Sequence, residues 1–185
     1  MIMLQKIVSY IIRIYETISD VKDSFYRLLH SGAPLSLINE KENTIQEKVY
    51  ESMKSRIKGD KHLSLTESPV REVLTHELNH QVGRKRLFDC YSWVTIFRRE
   101  TEKNRIIFSS EKVQIFDTLK GLCIDSILTF EDYLKDAENW NGLWLDKIEL
   151  YKSRDFRKFA KQSLDDITNQ SNLIEEELRK LLLVP

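Results

Sequence analysis

The sequence predicts an all-α, or mostly α, helical bundle, and three observations carry that prediction. Apolar residues recur at alternating steps of three and four near both ends of the chain, which is helical periodicity. Glycine (5) and proline (3) are too scarce in 185 residues to supply the turns of a β-sandwich or barrel. Hydrophobic residues at 41% can fill a core, and charged residues at 31% suit the solvated outer faces of helices. The length fits one helical domain over residues 1–185, and no repeat, low-complexity run or composition shift divides it.

The first helix is marked by Leu4, Ile7, Ile11, Ile14, Ile18, Val21, Phe25 and Leu28, a heptad-like seam. Val8, Ile12, Tyr15 and Leu29 widen the stripe, as a bundle helix needs. Ser31-Gly32-Ala33-Pro34 ends it. A second helix over roughly residues 40–58 carries Ile45, Val49, Met53 and Ile57 on one side and stops at Gly59-Asp60. Ser68 as N-cap and Pro69 at the first helical position open a third, short helix that Gly83 closes.

Residues 86–110 fit two templates. Leu87, Tyr91, Val94 and Phe97 have helical spacing, whereas Val94-Thr95-Ile96 and the aromatics suit a β-hairpin within 91–110. Helix is the reading adopted. Beyond Ser110, Val113, Phe116, Leu119, Cys123 and Ile127 continue on a helix, and Thr129-Phe130-Glu131-Asp132 resembles a capping box that starts another. After a turn at Asn139–Gly142, Leu145, Ile148 and Tyr151 lead a helix on through Phe156 and Phe159. Ser163 opens the last one, whose seam is Leu164, Ile167, Ser171, Ile174, Leu178 and Leu181.

Charge narrows function little, because Lys+Arg and Asp+Glu both number 29. Two cysteines, Cys90 and Cys123, make no disulfide framework and read as buried thiols in a reducing compartment. The apolar N-terminus is interrupted by Lys6 and Arg13, too early for a signal sequence or a membrane span. A cytoplasmic protein without membrane contact is expected. Arg84, Lys85, Arg86, Arg98, Arg99, Lys103 and Arg105, interleaved with Phe88, Tyr91, Trp93 and Phe97, form a basic middle. Asp89, Glu100 and Glu102 dilute it, so a paired, solvated face is favoured over nucleic-acid binding.

One constellation has specific chemical meaning: His76-Glu77-Leu78-Asn79-His80 on the third helix. Four residues apart, the imidazoles occupy one helix face. This H-E-x-x-H resembles the zinc signature of zincin metallopeptidases over about ten residues. The resemblance implies His76 and His80 as zinc ligands and Glu77 as general base. A metzincin would place its third histidine where Arg86 stands. A gluzincin-like third ligand would be drawn from Glu100, Glu102 or Glu111, with His30 and His62 as alternatives, and His62–Leu65 would supply the substrate-holding strand. Arg71 and His76 also resemble the R-x4–6-H motif of HEPN ribonucleases, with Glu72 departing from the usual next residue. There Arg71 would stabilise the transferring phosphate and His76 would act as acid or base.

The function expected first is a helical interaction or accessory module. It would work through a partner protein or self-association, with its C-terminal helix in the interface and Ser171 as a polar register position. A zinc-dependent hydrolase using His76, Glu77 and His80 is the alternative, and a HEPN-like ribonuclease comes third.

Overall fold

The structure, a computed structural model, describes residues 2–30, 40–58, 68–139 and 154–182. Side chains at 2–4, 40–42, 53, 56–58, 68–77, 79 and 136–139 fall outside that description. Among the described residues every extended element is a helix: α1 (Ile2–Leu29), α2 (Glu40–Lys58), α3 (Ser68–Lys103), α4 (Ser110–Asn139) and α5 (Arg154–Leu182). The chain is an all-α bundle. Helix α1 packs on α3 and α5, and α4 packs on the same two, so these four close a ring while α2 lies mainly against α3 among the described residues.

All four neighbouring pairs in the ring are antiparallel. Arg86 of α3 reaches Arg27 near the end of α1, and Lys22 of α1 bonds Asn172 and Glu175 of α5, whereas Tyr15 bonds Arg179 further along. Phe97 meets Phe116 at one end of the α3/α4 pair, and Gly83 faces Phe130 and Leu134 at the other. Lys112 pairs with Glu177, and Phe130 stacks near Phe156.

Both predicted seams lie in the core. Ile14, Ile18, Val21 and Phe25 of α1 and Ile167, Ile174 and Leu178 of α5 are all 0% exposed. Burying each such side chain is worth ~1.5–3 kcal/mol, enough to hold helices whose other faces are charged. The widening of α1 is partial: Leu29 is buried and Tyr15 packs on the core, but Val8 and Ile12 face outward. Ser171 sits fully inside the seam, and its hydroxyl has no hydrogen-bond partner among the described residues.

The hairpin alternative within 91–110 is not adopted by the chain, which stays helical to Lys103 and then makes one 3-10 turn over Arg105–Ile107. Asn104 closes α3 by donating its side-chain amide to the Glu100 carbonyl (2.8 Å), satisfying a last-turn acceptor. The Ser109 carbonyl accepts from the Val113 amide (3.0 Å), so α4 begins one residue later, at Ser110. Phe108 then turns inward onto Phe116, ring edge to face at 5.0 Å.

Three predicted boundaries are absent, for one physical reason. Gly83 does not end the motif helix, Thr129 does not open a new one, and α5 begins at Arg154 rather than Ser163. Cap preferences are worth about 1 kcal/mol each. An apolar period running straight through them outweighs that: Leu78, Val82 and Cys90 past Gly83, Ile127, Phe130 and Leu134 past Thr129, and Phe156, Ala160 and Ile167 past Ser163. The Thr129 hydroxyl donates instead to the Asp125 carbonyl one turn back. The predicted turn at 139–142, the helix lead Leu145–Tyr151 and the strand at 62–65 fall on residues outside the description.

A mid-helix glycine gives up backbone entropy without packing a side chain. At Gly83 a Cβ would stand 3.6 Å from Leu134 Cδ2 and 3.8 Å from the Phe130 ring, ordinary contact distances. Gly83→Ala should therefore stabilise the fold by about 0.5–1 kcal/mol, read as a raised midpoint in urea. A loss of stability would mean that α3 and α4 approach more closely than this.

Candidate functional site

The H-E-x-x-H motif lies on the part of α3 that runs past the described end of α1. Arg86 is level with Arg27, three residues from the described end of the α1 segment, so about four turns of α3 extend past that end. Helix α2 covers this stretch through a small second core of Val49, Leu78 and Val82, with Ile45 against it. Leu78 and Val82 face α2 because they are the apolar positions of the motif turn. Two positions further along than Leu78, His80 is buried, 8% exposed. The backbone places positions 76 and 80 one helical turn apart, and 71 and 76 about a turn and a half. The side chains of Arg71, His76 and Glu77 belong to the undescribed set.

Helix continuity decides among the third-ligand candidates. Glu100 and Glu102 are on the same unbroken helix as His80, so they stand about 30 Å from it. Glu111 follows the turn at that same far end of α3. None of the three can share a metal with His80. Arg86, at the metzincin position, is 3% exposed and donates from Nη1 to the Arg27 carbonyl at 3.0 Å. It thereby caps the negative end of α1, a favourable place for a cation. His30, whose ring lies 4.5 Å from that of Tyr26, is at the motif's end of the bundle. Among the described residues no group of three or more His, Cys, Asp or Glu side chains is arranged to hold a metal ion.

The basic middle of the chain resolves into paired surface and core. Lys85 bonds Asp89, Arg98 bonds Glu102 at 2.7 Å, and Arg99 lies 3.6 Å from Glu100. Phe97 is in the core and Trp93 packs against it. Between α1 and α3 a groove of about 420 Å³ is lined by Asp20, Asp23, Arg27, Lys85, Arg86 and Asp89, among others. Its charges are mixed, and burial together with Asp23 and Glu16 raises the Asp20 carboxyl above its ordinary range. Cys90 and Cys123 are both buried, and burial pushes the Cys90 thiol up to about 12 and the Cys123 thiol up as well. Neither is a ready nucleophile.

A second feature lies outside the H-E-x-x-H motif. Phe88 (67% exposed) and Tyr91 on α3 face solvent, as do Ile124 and Leu128 on α4. The antiparallel register set by Gly83 against Leu134 and Phe97 against Phe116 puts the two pairs level with each other. At helical spacing Phe88 and Tyr91 read as core. The signal that separates them is a second seam, Arg84, Phe88, Tyr91, Thr95, Arg98 and Glu102, which also steps by fours and threes but is offset from Val82, Cys90, Val94 and Phe97.

No family model, no curated protein and no solved structure matches this chain.

Where α4 and α5 meet, the Glu177 carboxylate accepts from Lys112 (2.6 Å) and Lys180 (2.8 Å). Those bonds, Lys112's first, lower its pKa from 4.5 to about 2. A carboxyl lowered in the folded state stabilises it fully above the unfolded value, and the contribution disappears as pH falls through the folded one. Wild type should therefore be more stable than Glu177→Gln at neutral pH, and the gap should close as pH drops from 4.5 towards about 2. A gap that is constant across that window would show that Lys112 and Glu177 are not paired in solution.

Proposed function

We propose that the chain is a helical interaction module whose contact surface is the outer face of α3 and α4. One observation carries this reading: four large apolar side chains, Phe88, Tyr91, Ile124 and Leu128, are exposed on adjacent helices at one level of the bundle. Single exposed apolar residues are ordinary, but a contiguous patch rimmed by charge marks association surfaces. The C-terminal helix, expected in that role, turns its seam inward, since Ile167, Ser171, Ile174 and Leu178 are all 0% exposed. The test is affinity purification of the tagged protein from its source cells beside Phe88→Glu. Material that accompanies the wild type in stoichiometric amount, whether another copy or another protein, should be lost from the variant at unchanged helix content. Identical associations in both would end the proposal.

A second reading, a zinc-dependent hydrolase, is favoured by the burial of His80, 8% exposed and one helical turn from position 76. His76 and His80 would hold the metal, Glu77 would act as base, and His30 is the described histidine at the right end of the bundle. Protein purified without chelators should then carry about one equivalent of zinc, lost in His80→Ala and kept in Glu77→Gln. Metal-free protein whose thermal stability is unmoved by added zinc would exclude it.

A further inference from the structure

We infer that the α3/α4 face is a self-association surface that pairs with the same face of a second copy, α3 of one chain lying antiparallel on α4 of the other. This rests on the reading of that face as an interaction surface and adds its occupant and register.

The two exposed stripes have matching designs. On α3 the stripe is Arg84, Phe88, Tyr91, Thr95 and Arg98, with an apolar pair in the centre, an arginine to either side, and Glu102 one turn beyond Arg98. On α4 it is Asp117, Gly121, Ile124, Leu128 and Asp132, with an apolar pair in the centre and an aspartate to either side, each beside a lysine three residues on, Lys120 and Lys135. Within one chain the contacts of Gly83 with Leu134 and of Phe97 with Phe116 put Arg84 near the level of Asp132 and Arg98 near that of Asp117.

A two-fold axis parallel to the helices keeps every level unchanged and exchanges left for right. Helix α3 then faces α4 of the partner. Phe88 and Tyr91 meet the partner's Ile124 and Leu128, while Arg84 and Arg98 meet the partner's Asp132 and Asp117. Every contact occurs twice, as an isologous interface requires. No other closed two-fold arrangement of this face does this. An axis perpendicular to the helices would set α3 on α3 and α4 on α4, placing arginine near arginine and aspartate near aspartate.

The ion pairs now seen at these ends do not oppose the arrangement. Arg98–Glu102, Asp117–Lys120 and Asp132–Lys135 are surface intrahelical pairs, weak in high dielectric, and can be shared with a partner. From Arg84 to Arg98 the stripe is about 21 Å long, and two helices make it about 20 Å wide. That is smaller than the roughly 800 Å² per partner of a standard stable interface. The dimer should accordingly be concentration-dependent, with a dissociation constant in the micromolar range.

Native mass measured by sedimentation over a dilution series tests this, using the full chain and three variants. Wild type should pass from monomer to dimer, and Phe88→Glu should weaken the dimer at least about tenfold with its circular dichroism unchanged. Arg98→Glu and Asp117→Arg should each be weakened, because each sets like charges opposite one another twice. Mixed together, they should regain a heterodimer, since Glu faces Arg at one contact and Arg faces Asp at the other. A wild type that stays monomeric to the highest soluble concentration would refute the second copy as occupant, leaving partner capture to judge the surface itself. A dimer indifferent to Phe88→Glu would refute the face. A dimer lost in both charge variants and not regained on mixing would refute the register.

Discussion

Leu178→Asp should unfold the protein. Leu178 is 0% exposed in the seam of α5, among side chains of α1 and α4. Removing its burial costs ~2–3 kcal/mol, and an unpaired carboxylate in that position adds several more. The sum is comparable with the whole stability of a domain, about 5–15 kcal/mol. Far-UV circular dichroism should show lost helix, and no cooperative urea transition should remain. Leu173→Asp is the matching control: Leu173 is 42% exposed, and its variant should melt like wild type. If the Leu178 variant instead folds normally and only its native mass falls, the seam faces another chain and the bundle described above is wrong.

The second large effect is expected at Phe116. Its ring receives Phe97 at 6.2 Å and Phe108 at 5.0 Å, both nearly perpendicular, so one side chain joins α3, α4 and the turn between them. Truncation to alanine should cost about 3–5 kcal/mol through lost burial and the cavity left behind. Part of that is the aromatic pairing itself, about 0.5–1.5 kcal/mol for each pair. A double-mutant cycle of Phe116→Ala with Phe108→Ala should recover a coupling of that size from urea midpoints. Additive losses would show that the turn does not close onto the core as the ring geometry requires.

Much of the bundle is legible in the sequence because helical packing writes itself as a period. The seams of α1 and α5 can be read residue by residue, as can the face of α2 that holds Ile45 and Val49. Boundaries are harder. Gly83, Thr129 and Ser163 carry real local preferences, yet a cap signal of about 1 kcal/mol says nothing about apolar contacts made by the residues after it. The candidate site divides the same way. That the H-E-x-x-H turn is helical follows from Ser68 and Pro69, whereas the distance from His80 to Glu100 depends on Gly83 not ending the helix. The outward placement of Phe88 and Tyr91 is hidden because core and surface aromatics share one spacing, and only their offset from Cys90 and Val94 distinguishes them. Arg86 reads as part of a basic run, and nothing in its neighbours foretells that the end of α1 arrives beside it.

Among the described residues the two separate cores imply two tiers of cooperativity. The ring of α1, α3, α4 and α5 shares one apolar cluster, whereas α2 is held by Val49 and Ile45 against Leu78 and Val82. Opening the smaller cluster leaves the larger one intact, so it is a sub-global unfolding step with its own, lower free energy. Amide hydrogens of α2 should exchange with solvent well before those of the α5 seam, and mild denaturant should release them first.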